Sequence, residues 1–170
     1  MSDKSNQSQF AAFISALKQR SASRILEFGT KDPSLLLEII SSAEWGSKIE
    51  LHCSDDTGEG FDQQLMSAAE KTDTDFELIK HVGTELEMSD AVMEYAASYP
   101  FDAVFISTSS SKETLLTCLM VCHDILKADG VLGLSSNLTA DPSMSDAIVS
   151  FKDIFGDAYN EDADHIFVKV

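Results

Sequence analysis

Several short segments of this chain gather the residue types that hold a small polar ligand: glycine, hydroxyl and carboxylate groups within a few positions of one another. They are Gly29-Thr30-Lys31-Asp32, Cys53-Ser54-Asp55-Asp56, Gly83-Thr84-Glu85, the hydroxyl run 107–111 that begins at Ser107, and Ser136-Asn137. Carboxylates accept hydrogen bonds from ligand hydroxyls and ammonium groups, hydroxyls donate and accept, and glycine lets backbone approach a ligand closely. The same residues also serve as ordinary turn and cap chemistry. Other combinations fall short of a site. Asp55, Thr57, Glu59 and Gly60 begin like a calcium loop, but Met66 stands where the closing Glu would be needed. Cys118 and Cys122 are four apart, with His123 beside them. No second Cys or His pair has ligand spacing, so the two cysteines read as small buried side chains. The acids Asp157, Glu161, Asp162 and Asp164 read as a solvated hairpin. His52, His81, His123 and His165 are scattered and read as satisfied structural groups.

The elements that must position these segments form a repeat. Short apolar runs over 24–29, 48–53, 76–82, 101–106, 130–135 and 165–170 read as strands. Helical spacing of apolar residues marks helices near 10–17, 33–46, 61–71, 86–98, 112–127 and 143–155. Asp32 is a good helix cap, and Pro33 suits a first helical position. Each strand followed by a helix is a βαβ step, and right-handed crossovers place helices on both faces of a mainly parallel sheet. Runs such as Val104-Phe105-Ile106 are apolar without alternation, as expected of strands buried on both sides. Lys169, near the end of the closing strand, suits a sheet edge. The fold class is therefore α/β, a doubly wound, Rossmann-like sheet. In such a sheet ligands bind beyond the carboxyl ends of the strands, which is where the five segments lie. Residues 1–9 read as a flexible tail and 10–170 as a single domain.

Composition narrows the partners. The chain holds 12 Lys and Arg against 29 Asp and Glu, a formal net charge of −17. That balance argues against nucleic acid or an anionic membrane, both of which require clustered Lys and Arg. The N-terminus lacks a basic stretch leading into an apolar one, and no apolar run approaches membrane-spanning length. Three cysteines read as reduced thiols, so the expected location is cytoplasmic.

The segment ILEFGT at 25–30 resembles motif I of the class I S-adenosylmethionine-dependent methyltransferases, an apolar strand ending in acid-x-Gly-x-Gly-x-Gly. PFDAVFI at 100–106 resembles that family's fourth strand, and LKADGVLGL at 126–134 its passage from helix to fifth strand. The order and spacing are similar to the small-molecule O-methyltransferase branch over nearly all of 10–170. The resemblance implies about seven strands, with an antiparallel last strand inserted between the fifth and sixth. It assigns Ala158 to Asn160 and His165 to Val170 to the closing hairpin. It also implies that S-adenosylmethionine would be held by Glu27, Phe28, Gly29, Thr30, Cys53, Asp55, Gly83, Thr84 and Ser107, with no catalytic side chain and no metal.

The chain departs from the pattern in places. Lys31 and Pro33 replace the second and third glycines, and both would crowd the cofactor. Cys53 replaces the acid that holds the ribose, with Asp55 the substitute if the loop folds back. Thr84 replaces an acid after the third strand's glycine. Ser107 replaces the metal-binding aspartate of the metal-dependent branch. Three readings follow: a methyltransferase acting on a small molecule, a methyltransferase fold that has become a binding or assembly module for a small ligand or protein partner, or another doubly wound nucleotide-binding protein. The last lacks both G-x-G-x-x-G and G-x-x-x-x-G-K-[ST]. Homodimerisation, with the N-terminal helix as the contact, is a further expectation of the resemblance.

Overall fold

The computed structural model describes residues 10–42, 45–163 and 165–170; the tail assigned to 1–9 lies outside them. The strands are β1 (Arg24–Phe28), β2 (Ile49–Ser54), β3 (Phe76–His81), β4 (Phe101–Ile106), β5 (Leu126–Leu134), β6 (Tyr159–Ala163) and β7 (Ile166–Lys169). The helices are α1 (Ala11–Gln19), α2 (Ser34–Ser41), α3 (Phe61–Thr72), α4 (Glu85–Ala96), α5 (Lys112–Ile125), α6 (Ser136–Ala140) and α7 (Ser145–Phe155).

One sheet of seven strands runs in the order β3-β2-β1-β4-β5-β7-β6. The first five pair in parallel, and β7 is antiparallel to both β5 and β6. Successive residues face opposite sides of a strand, and the core divides accordingly. Ile25, Leu51, Phe105 and Val131 pack with Phe13 of α1, Leu36 of α2 and Leu65 of α3. Leu26, Val104, Leu132 and Phe167 pack with Val92 of α4, Leu119 of α5 and Phe151 of α7. The strands β1 and β4 are thus buried from both sides, which is why Ile25, Leu26 and Phe28, and the run from Ala103 to Ile106, are apolar without alternation.

The amino ends of the strands are tied by charge. Asp102 accepts hydrogen bonds from the Ser23 and Arg24 N–H groups at 2.7 and 2.8 Å and pairs with Lys127. Glu50 accepts from Arg24 Nε at 2.8 Å and from the Tyr95 hydroxyl at 2.8 Å. These contacts hold its carboxylate down at about 2, first through the guanidinium bond. One step further along β2, His52 Nδ1 lies 2.9 Å from His81 Nε2.

Some elements differ from expectation. The helix beginning at Ser34 stops at Ser41, not near 45–46, because the Ser42 hydroxyl and the Trp45 indole both donate to the Ile39 carbonyl and satisfy the helix end there. Strand β5 starts at Leu126, so α5 is shorter than the spacing implied. Segment 136–140 is a short helix, not a loop, with the Ser135 hydroxyl accepting from the Leu138 N–H as its cap. Lys169 is not at an edge: β7 is enclosed between β5 and β6. Its ammonium instead donates to the His123 and Leu126 carbonyls where α5 ends.

Candidate functional site

Four loops meet at the carboxyl ends of the parallel strands. Gly29 follows β1 with φ of +71°, a conformation that favours glycine. A Cβ there would run into the carbonyl oxygen of Thr108, whose hydroxyl donates to the Gly29 carbonyl at 2.9 Å. The first motif glycine is therefore needed to let the loop after β4 close on the loop after β1. Gly83, at φ +98°, plays a similar part after β3, since a Cβ would lie 2.5 Å from Glu87 Oε2. That carboxylate accepts from the Thr84 N–H at 2.8 Å and caps α4. The bonds from Thr84 hold Glu87 below the usual carboxylate range.

The loops after β2 and β3 are laced together. Asp55 Oδ1 accepts from the Gly83 N–H at 3.0 Å, and the Ser54 hydroxyl donates to the Gly83 carbonyl at 3.0 Å. The Asp55 N–H in turn donates to the His81 carbonyl. Between these loops and the one after β1 lies a cleft of about 380 Å³. Gly29, Thr30 and Lys31 line it from β1, Ser54 and Asp56 from β2, and Ser110 from the loop after β4. Gly83, Thr84, Glu85, Glu87 and Met88 form its remaining wall. The lining thus carries three acidic residues, Asp56, Glu85 and Glu87, and one lysine, Lys31.

Of the residues predicted from sequence, Gly29, Thr30, Gly83 and Thr84 line this cleft. The others do not. Phe28 and Cys53 are fully buried in the two halves of the core. Burial also pushes the Cys53 thiol up to about 12, so it is no nucleophile. Asp55 does not turn into the cleft, because its carboxylate is spent on Gly83; its neighbour Asp56 takes the lining position. Pro33 is not on the wall either, being the residue that precedes α2, whereas Lys31 is. Asp56 and Glu85 belong to the segments singled out at the strand ends but received no role from the resemblance, and Glu87 and Met88 lie beyond those segments. Their signal is placement within a few residues of a strand end, which two adjacent aspartates leave ambiguous.

Glu27 and Ser107 sit together behind the lining, on adjacent strands that place Phe28 opposite Ile106. The Ser107 hydroxyl donates to Glu27 Oε1, while Glu27 Oε2 has no hydrogen-bond partner among the described residues. Burial is the main cause that lifts this carboxyl to about 7. It can therefore hold or release a proton near neutrality. Ser107 is fixed from behind by the Ser135 hydroxyl, which donates to its carbonyl at 2.7 Å. The expectation of fully satisfied histidines fails at His123 Nδ1, which is buried without a hydrogen-bond partner among the described residues, while His52 Nε2 has the Glu50 carboxylate at 3.6 Å, too long for a hydrogen bond. Among the described residues no group of three or more His, Cys, Asp or Glu side chains is placed to hold a metal ion, and no helix is long and apolar enough to cross a membrane.

No protein-family model and no curated protein sequence matches this chain. Solved structures do match it. An O-methyltransferase from Bacillus cereus in complex with SAH is similar with a TM-score of 0.62 at 14% identity, over 100% of this chain and 84% of that one. The O-methyltransferase TomG from Streptomyces achromogenes, involved in tomaymycin synthesis and solved with SAM, gives 0.60 at 14% identity, over 94% of this chain and 78% of that one. The MycE methyltransferase of the mycinamycin pathway, solved with Mg and SAH, gives 0.62 at 16% identity, over 97% of this chain and 50% of that one. The likeness is one of fold: this chain has the fold of the class I S-adenosylmethionine-dependent methyltransferases.

Proposed function

We propose that this chain, with helices wound on both faces of a Rossmann-like sheet, binds S-adenosylmethionine in the cleft and is a methyltransferase-like protein acting on a small-molecule acceptor. The observation that carries this reading is the cleft itself. It lies at the strand ends where such sheets bind ligands. Its volume of about 380 Å³ is of the size that small molecules occupy. Its wall carries Asp56, Glu85 and Glu87, which complement a ligand bearing sulfonium and ammonium charges. The partnerless Glu27 oxygen adds a buried acceptor close behind.

When bound, the cofactor supplies an electrophilic methyl group. The chain's own part is to hold and orient. Asp56 would accept from the ribose hydroxyls, the role that Asp55 cannot fill while it accepts from Gly83. The backbone at Gly29 and Thr30 would meet the methionine end, and Met88 supplies the apolar contact for the base. With no side chain in the cleft singled out as a base, proximity is the device available for the reaction.

A second reading, binding without methyl transfer, is favoured by one observation. The open side of Gly29 is filled by Thr108, and Lys31 stands on the cleft wall. Calorimetric titration with S-adenosylhomocysteine tests the first step. A dissociation constant in the micromolar range, about −8 kcal/mol, is expected, and Lys31→Gly should tighten it. Absence of heat at millimolar ligand would remove the cofactor from the account. Binding with no methyl transferred to any of a panel of phenols, thiols and amines would establish the second reading.

A further inference from the structure

The sheet has two edges, and the chain treats them differently. The β6 edge carries exposed Asn160, Glu161 and Asp162, and its pairing with β7 is interrupted between Glu161 and Ala163. Charge and irregularity of this kind prevent another strand from adding. The β3 edge carries two charges, Glu77 and Lys80, already paired with Lys48 and Asp62 respectively, and no irregularity. Its six residues, FELIKH, pair with β2 in unbroken register from Phe76 to His81.

The direction of its free groups follows from the ladder. Ile49 N–H donates to the Asp75 carbonyl at one end, and Asp55 N–H to the His81 carbonyl at the other. In a parallel pair alternate residues of a strand face the neighbour, so 75, 77, 79 and 81 face β2. Phe76, Leu78 and Lys80 turn their N–H and C=O groups outward. Their side chains lie on the α3 side, where Phe76 and Leu78 pack against the core only in part. There, with Met66 of α3, which is 59% exposed, they line a groove of about 550 Å³ that ends at Asp62 and Lys80. An adjoining groove shares Met66 and Phe76 and is rimmed by Glu70, Asp73 and Asp75.

We propose that the β3 edge accepts an extended, basic segment of a protein partner, added as an eighth strand. Backbone groups of Phe76, Leu78 and Lys80 supply the pairing, and the groove takes every second side chain of the incoming segment, the central ones apolar and the outer ones basic, so that both kinds share the face that carries the rim acids. The sign of the partner follows from the rim. Asp62, Glu70, Asp73 and Asp75 surround the groove, and Lys80, the lysine on its wall, is already paired with Asp62. A second copy of this chain would set the same acids against themselves across a two-fold axis, whereas a lysine- or arginine-bearing segment meets them with opposite charge.

The test uses the full chain and three blocked heptapeptides whose odd positions share one face: a valine–lysine peptide, Lys-Ser-Val-Ser-Val-Ser-Lys; a serine–lysine peptide with serine in place of valine; and a valine–glutamate peptide with glutamate in place of lysine. The valine–lysine peptide should bind at least tenfold more tightly than either control and shift the amide resonances of Phe76, Leu78 and Lys80. Leu78→Pro removes an N–H that the β2 ladder does not use and should weaken that binding at least tenfold. Met66→Lys, at an exposed helical position, should weaken it about fivefold, and it decides the matter if the proline variant does not fold. Equal binding of the valine–lysine and serine–lysine peptides, unaffected by either variant, would overturn the proposal as charge attraction alone. A dimer in light scattering that Leu78→Pro converts to monomer would overturn it in favour of a second copy.

Discussion

Glu27 and Glu50 lie on neighbouring strands and have opposite fates. Glu50, near the amino end of β2, is bound by Arg24 through two nitrogens and by the Tyr95 hydroxyl, and its carboxylate is held at about 2. Glu27, near the carboxyl end of β1, is met by the hydroxyl of Ser107 and, more weakly, by that of Thr30, and burial lifts it to about 7. The difference separates the two ends of the sheet. At the amino end each acid meets a cation or a row of N–H groups, as Asp102 also shows. At the carboxyl end a buried acid is left short of partners, beside a cleft whose wall is negative. The first arrangement holds strands together; the second is the kind that functional sites retain at the expense of stability.

The largest expected effect comes from the point where the carboxyl-end loops touch. Gly29→Ala must adopt a left-handed conformation against the Thr108 carbonyl. It should lower stability by about 3 kcal/mol in urea unfolding and abolish ligand binding. Glu50→Gln tests the amino end. It removes the charge from the Arg24 pair and should cost about 2 kcal/mol, with the cleft's affinity for S-adenosylhomocysteine unchanged. A comparable loss of affinity would show that the two ends are not separable.

Glu27→Gln should act in the opposite direction. The folded-state pKa of Glu27 is raised, so its contribution is complete below the unfolded value near 4.5 and is lost as pH rises through about 7. The glutamine variant should therefore be about 1 kcal/mol more stable than the parent at pH 8, with no such gain at pH 4.5. The smallest effect lies in the slope between those limits. His52 is pushed down to about 4, mainly by burial. Its contribution is present above about 6.5 and fades as pH falls. Between 4.5 and 6.5 the two groups oppose each other in the parent. In Glu27→Gln the slope of His52, joined by those of His81 and His123, which burial also pushes down, should be left unopposed by Glu27, with stability rising steadily with pH in that window.

Much of the fold could be read from the chain, because strands buried on two faces leave apolar runs that turn residues punctuate. The runs at 25–28 and 103–106 lie where β1 and β4 lie. Strand order needed the family resemblance, since periodicity carries no information on neighbours. Long-range contacts were the part that could not be read. Lys169 looks like an edge lysine until the end of α5 is placed beside it. Asp55 and Asp56 are equivalent in sequence until Gly83 arrives to bind one of them. Cys53 and Glu27 both lie one residue before the end of a strand, yet Glu27 meets the Ser107 hydroxyl just beyond β4 while Cys53 is packed into the core.

The most direct test of the contrast between the two ends is a titration of the ¹⁵N-labelled protein with S-adenosylhomocysteine, followed by amide spectra. The account predicts saturable shifts at Gly29, Thr30, Asp56, Gly83 and Thr84 in the micromolar range, with Arg24, Glu50 and Asp102 unmoved. Shifts concentrated at the amino end, or none at millimolar ligand, would contradict it.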